Sequence, residues 1–283
     1  MSRLFVFGDS FSADIPNNET SAITVTKKVD KKQAWTYSLA DKLGVRPYFL
    51  SKYGTGLDYT QFKFNEVLPK IKKDADYIIV CHTSPSRRWF IEKCPHASNF
   101  LNYISPDGSL NVDWVEKMIS GIKGSETSSN GIASSFQADV GRHYAIYVAR
   151  QDLENLYGES IITYFRHYQK QGYKIINIPC VQDEYSISFN ENFNTIGNLD
   201  AVSRNEFKAK DKERAFTEIC QGCDGRINHL SNDNHPVLVD KLYKCFIEKQ
   251  DLDFTHGFQT GMITKDTWKD FNTLGLSKEK MNI

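Results

Sequence analysis

This sequence predicts a three-layer α/β/α fold with a mostly parallel central sheet, on three observations. Short apolar runs stand at 3–7, 77–81 and 174–178. Segments of helical periodicity lie between and after them. The two kinds of segment alternate along the chain, the signature of parallel strands joined by helical crossovers, with helices covering both faces of the sheet.

The elements follow in order. Residues 3–7 are an apolar run that stops at Gly8, which reads as a buried strand. Over 32–44, Trp35, Leu39, Ala40 and Leu43 recur at helical spacing, and Gly44 supplies the stop. A second strand is expected at 46–50. The next helix, over 58–72, is expected to turn Phe62, Val67, Leu68 and Ile71 inward. Residues 77–81 are continuously apolar, as a strand covered on both faces must be. A helix over 159–171 ends at Gly172, and a strand over 174–178 follows. The last core element is an amphipathic helix over 236–248, with Val237, Leu238, Leu242 and Phe246 on one stripe.

Two stretches interrupt the alternation. Residues 95–150 hold a Gly/Ser-rich piece at 121–135 and a helix-like run from 143 that continues to 156. Residues 183–215 are polar, Asn-rich and then charged. Both are expected to be insertions in a single domain spanning 1–250. Residues 251–283 are expected to be a C-terminal extension, as a weak helix or an extended arm.

With 283 residues, the chain is long enough to bury about 75% of its unfolded surface without disulfide or metal staples. Lys+Arg and Asp+Glu both number 35, so no net charge draws the molecule to nucleic acid or to an anionic membrane. No segment approaches the ~20 apolar residues of a membrane helix. The apolar run at the start is four residues, shorter than a signal peptide requires, so synthesis in the cytoplasm is expected. The six cysteines are sparse for this length, which fits reduced thiols. Cys220 and Cys223 form a CxxC pair without a second such pair. A zinc site would have to recruit Cys245 or His229, so no metal is expected.

Ligands of open parallel sheets bind beyond the carboxyl ends of the strands. Those places carry Gly8-Asp9-Ser10-Phe11-Ser12, then Tyr53-Gly54-Thr55-Gly56, then His82-Thr83-Ser84-Pro85-Ser86-Arg87-Arg88. His229 stands shortly before the last helix. A hydroxyl, an imidazole and potential oxyanion donors suit acyl transfer. Gly8-Asp9-Ser10 directly after the first strand, with His229-Leu230-Ser231 leading into the last helix, resembles the SGNH/GDSL hydrolases. The resemblance covers roughly 1–90 and 155–250, and it extends to the divergent branch carried by bacteriophages.

The resemblance implies a flavodoxin-like sheet, Ser10 as nucleophile and His229 as base. It makes the amides of Ser10 and Gly56 oxyanion donors, and it implies no cofactor. Two positions depart from the family pattern. The family's third block ends in Asn-Asp, whereas here the Asn is absent and Thr83 or Ser84 is the candidate for a hydroxyl donor in its place. The family's acid stands three residues before the histidine, where this chain has Arg226, so Asp224 is the candidate. Asp9 and Arg87 are candidates for substrate binding.

Each candidate has a competing reading: Ser10 as a helix cap, His235 as the base, Asp224-Gly225 as a plain turn, and Arg87-Arg88 as a surface ion pair. The expected function is hydrolysis of a small acyl ester, such as an O-acetyl group on a carbohydrate, through an acyl-enzyme. The alternative is a catalytically weak binding or structural protein of the same fold, such as a virion component.

Overall fold

The computed structural model describes residues 2–9, 11–12, 34–51, 55–85, 87–88, 98–99, 151–181, 185–206 and 230–262. Along the chain run β1 (Arg3–Phe7), α1 (Trp35–Leu43), β2 (Arg46–Phe49) and α2 (Leu57–Val67), the last extended by a 3-10 turn at Leu68–Lys70. Then come β3 (Tyr77–His82), β4 (Arg87–Arg88), β5 (Ser98–Asn99), α3 (Gln151–Lys170) and β6 (Lys174–Pro179). The chain continues through β7 (Thr195–Ile196), α4 (Leu199–Asn205), α5 (His235–Glu248) and β8 (Leu252–Asp253).

The central sheet has the order β2-β1-β3-β6, and every pairing in it is parallel. Pro47 cannot donate to a ladder, and it sits in β2, at the sheet edge, where that loss is tolerated. Alternate residues of each strand point to opposite faces. Leu4 and Val6, with Ile79, Cys81, Ile176 and Ile178, face one side, where they pack with Trp35 and Leu39 of α1 and Leu238 and Leu242 of α5. Phe5 and Phe7, with Ile78, Val80 and Ile175, face the other, against Leu57 and Phe64 of α2 and Ile161 and Phe165 of α3. Two cores, one per face, make the three layers. Each fully covered side chain among them contributes roughly 1.5–3 kcal/mol.

Two expectations are corrected. Phe62 does not turn inward and is 39% exposed. The helix begins at Leu57 and buries Leu57, Tyr59, Thr60 and Phe64. Pro69 then closes it in a 3-10 turn, which resets the phase so that Ile71 alone of the four is fully buried. The helix expected over 159–171 is part of a longer one, described over Gln151–Lys170 and unbroken across that span. Gly158 lies inside it because the Tyr185 ring occupies the space a Cβ would need, at 2.5 Å.

Residues 185–206 and 251–262 are built into the body. Leu199 and Val202 of α4, and Leu252 and Phe254, belong to the core on the α1–α5 face. β7 and β8 pair in parallel, Thr195 with Leu252 and Ile196 with Asp253.

Candidate functional site

The strand order places the topological switch point between the carboxyl ends of β1 and β3. The connection from β1 leads to one side, and the chain returns across it to β3. Gly8 stands at that point with φ +140°, a conformation open to glycine. A Cβ there would lie 2.6 Å from the Cys81 Cβ and 2.8 Å from the Cys81 carbonyl, so the two strand ends approach as closely as backbone permits.

The turn that follows is tied from several directions. Asp9 is fully buried, and its Oδ1 accepts the Phe11 N–H at 3.1 Å, an Asx turn. The Ser12 N–H donates to the Asp9 carbonyl at 3.2 Å. The Trp35 indole N–H donates to the Phe11 carbonyl at 3.1 Å, fastening the turn to α1.

Hydroxyls stitch this turn to the loop after β2. Thr55 Oγ1 donates to the Gly8 carbonyl at 3.2 Å. Ser12 Oγ meets Ser51 Oγ at 2.9 Å, and Ser51 Oγ donates back to Val6 in β1 at 3.1 Å. Gly56 follows Thr55 directly and caps α2 with extended backbone, φ −99° and ψ 178°. The Gly8 turn and the Gly56 helix start are therefore held side by side. Thr55 and Ser51 were not singled out from the sequence, although the hydroxyl beside Gly56 was a usable signal.

At the end of β3, the Thr83 hydroxyl is buried without a hydrogen-bond partner among the described residues. Ser84 is half-buried. His82 is also buried. The Asn177 amide nitrogen donates to the Phe189 carbonyl, which leaves its oxygen to accept from His82 Nε2 at 2.9 Å. Burial pushes the His82 imidazole down to about 4, against a smaller opposing effect of Asn177, so it is neutral at pH 7. Its Nδ1 has no partner among the described residues, and the rings of Phe165 and Phe189 stand edge-on to it.

Ser10, His229 and Asp224 lie outside the described residues, as do Tyr53, Arg226, Cys220 and Cys223. The structure thus places Asp9, Gly56, Thr83 and Ser84 of the expected set and brings the loops after β1, β2 and β3 to one edge. Arg87 pairs with Asn99 in the antiparallel β4–β5 ladder. His235 is the first residue of α5 and is buried. Leu230 and Ser231, immediately after His229, are buried. Ser231 is held by the carboxylate of Glu206, which is 0% exposed. Glu206 stands 25 positions earlier, and nothing in the sequence pattern connects the two.

Among the described residues no group of three or more His, Cys, Asp or Glu is placed to hold a metal ion. Cys81, Cys180 and Cys245 are buried, and burial pushes the Cys245 thiol up to about 12. Among the described residues, no helix is long and apolar enough to cross a membrane.

No protein-family model matches this chain, and no curated protein matches it. A solved structure to which it is similar is described as "The active site of a carbohydrate esterase displays divergent catalytic and non-catalytic binding functions". The likeness covers 86% of this chain and 67% of that one, at 10% identity and a TM-score of 0.31. Nothing about reaction or residues follows from a likeness of that size.

Proposed function

We propose that this protein is a serine esterase of the SGNH type that removes small acyl groups, with O-acetyl groups on a carbohydrate as the substrate class. The observation that carries the reading is the convergence at the switch point. Gly8 is packed on Cys81 at 2.6 Å from a would-be Cβ, and Thr55 ties the start of α2 to the Gly8 carbonyl at 3.2 Å. Ser10 is the third residue of the loop that begins at Gly8. The hydroxyls of Thr83 and Ser84 at this edge favour a polar substrate over a long acyl chain.

In this mechanism Ser10 Oγ attacks the ester carbonyl carbon, and His229 takes its proton. The oxygen that gains charge is held by the N–H groups of Ser10 and Gly56 and by the hydroxyl of Thr83 or Ser84. Each such donor is worth ~3 kcal/mol of transition-state stabilisation. The start of α2 adds a favourable dipole. Collapse breaks the ester C–O bond, and His229 returns its proton to the departing alkoxide. Water, deprotonated by His229, then attacks the acyl-Ser10 ester and releases the acid. Asp224 is the candidate to orient the imidazole, and Arg87 the candidate contact to the substrate.

The test is labelling with a fluorophosphonate probe and turnover of p-nitrophenyl acetate, run beside Ser10→Ala and His229→Ala. Both activities are expected in the wild type, with labelling lost in Ser10→Ala and turnover reduced by ~10³-fold or more in each variant. Acetate release from acetylated xylo-oligosaccharides tests the substrate class. A wild type that neither labels nor turns over overturns the reading, and so does a Ser10→Ala protein that behaves like wild type.

A further inference from the structure

We propose that Glu206 is a positioning residue for the loop that carries His229; this rests on the esterase reading above. Glu206 closes α4 and is 0% exposed. Its two carboxylate oxygens accept the Ser231 N–H at 3.0 and 3.2 Å. Oε1 also accepts the Ser231 hydroxyl at 2.9 Å and the Asn234 amide at 2.8 Å. Burying a carboxylate costs several kcal/mol unless its lone pairs are filled, and here three donors, the Ser231 N–H and hydroxyl and the Asn234 amide, belong to the stretch that starts two residues after His229.

The anchor itself is tied to the core. Asn198 caps α4 through the Ala201 N–H at 2.8 Å, Leu199 and Val202 lie in the core, and the Asp200 N–H donates to the Cys180 carbonyl just past β6 at 3.1 Å. Glu206 is thereby registered to the same sheet edge that carries Gly8 and Thr83. Asn234 passes the restraint on. Its Oδ1 accepts the Gln259 N–H at 2.7 Å, and its amide donates to the Gln259 carbonyl at 3.1 Å. The Gly261 N–H donates to the Asn205 carbonyl at 2.8 Å. The chain from Leu230 to Asn234 is clamped between α4 and the segment after β8.

A displacement of about 1 Å in a catalytic group can cost ~10²-fold in rate, so the residue that sets a loop's position is felt in kcat. Glu206→Gln keeps the shape but turns an acceptor into an N–H₂ group facing donors. Ser231→Ala removes one bond and leaves the carboxylate in place, so it serves where Glu206→Gln fails to fold.

The expected result is a ~10- to 100-fold lower kcat on p-nitrophenyl acetate with little change in KM for Glu206→Gln. A smaller drop is expected for Ser231→Ala. The imidazole ¹H–¹⁵N signal of His229, assigned by its loss in His229→Gln, is expected to shift in both variants. If wild type labels and turns over, while both variants are folded, match its kcat and leave the His229 signal unmoved, the positioning role is overturned and the esterase reading stands. If wild type shows no activity, the esterase reading fails. The His229 signal then decides alone: unmoved by either variant, it overturns the restraint; moved, it supports it.

Discussion

Gly8 and His82 show how single residues define the carboxyl edge of this sheet. At Gly8 any side chain would collide with Cys81 Cβ and the Cys81 carbonyl, so the absence of a Cβ is what lets β1 and β3 end side by side. His82, one residue beyond Cys81, spends its Nε2 proton on Asn177 and stays neutral because charging it in the core is costly.

That depressed value has a consequence for stability. The unfolded chain takes up a proton below 6.5, the ordinary histidine value, while the folded chain resists until about 4. The contribution of His82 is therefore complete above pH 6.5 and falls as pH drops from 6.5 to about 4. The loss across that window is about 3 kcal/mol. Urea unfolding of wild type and His82→Gln at pH 7, 5 and 4 checks it, and the expected outcome is a gap between the two that shrinks by this amount. Thr83, whose buried hydroxyl lacks a partner among the described residues, is one of the two residues, with Ser84, to which the family resemblance points as a hydroxyl donor.

Between elements, polar links hold the strands in register where apolar packing alone would let them slide. The fully buried Asp76 carboxylate, just before β3, accepts from the Arg3 N–H at 3.0 Å, Arg3 Nε at 3.2 Å, Arg3 NH2 at 2.6 Å and the Lys72 N–H at 2.7 Å. Burial works to raise its pKa, but the hydrogen bonds and charge of Arg3 outweigh it and hold the carboxyl below its ordinary value. Its contribution is therefore present above the ordinary carboxylate range and is lost as pH falls through the lowered folded value. Asp76→Ala leaves the Arg3 guanidinium and two N–H groups without their acceptor. The expected cost is about 3 kcal/mol in chemical denaturation at pH 7.

Asn190 makes a comparable link on the α3 side. Its Oδ1 accepts from the Asn177 N–H and Gln169, and its amide donates to the Asn177 carbonyl and Thr195. No periodicity announces such a residue. In the sequence it is one Asn in a polar stretch, and only the fold places it against β6. The same applies to Gly158, which stands just before the helix expected over 159–171 and which Tyr185 makes a packing position.

Across the molecule, the segment after α5 closes the structure. Leu252 is 0% and Phe254 4% exposed, and Gln259 grips Asn234 at the entrance to α5. Ending the chain after Gln250 removes two core side chains, each worth roughly 1.5–3 kcal/mol, together with the β7–β8 pairing. The expected outcome is a markedly lower melting temperature or insoluble protein, read by thermal denaturation beside the full chain.

The fold class followed from the sequence alone. Apolar runs such as 77–81 must be covered on both faces, and the helical stripes between them supply the cover, so alternation dictates parallel strands with helices on either side. The loops that carry Gly8, Gly56 and Thr83 were placed at one edge for the same reason, since they follow the strands. The tertiary structure alone decided the strand order, the hydrogen bond from Thr55 to the Gly8 carbonyl, and the pairing of Glu206 with Ser231. These depend on distances between segments tens of residues apart, which are set by how the layers pack and leave no local period in the chain.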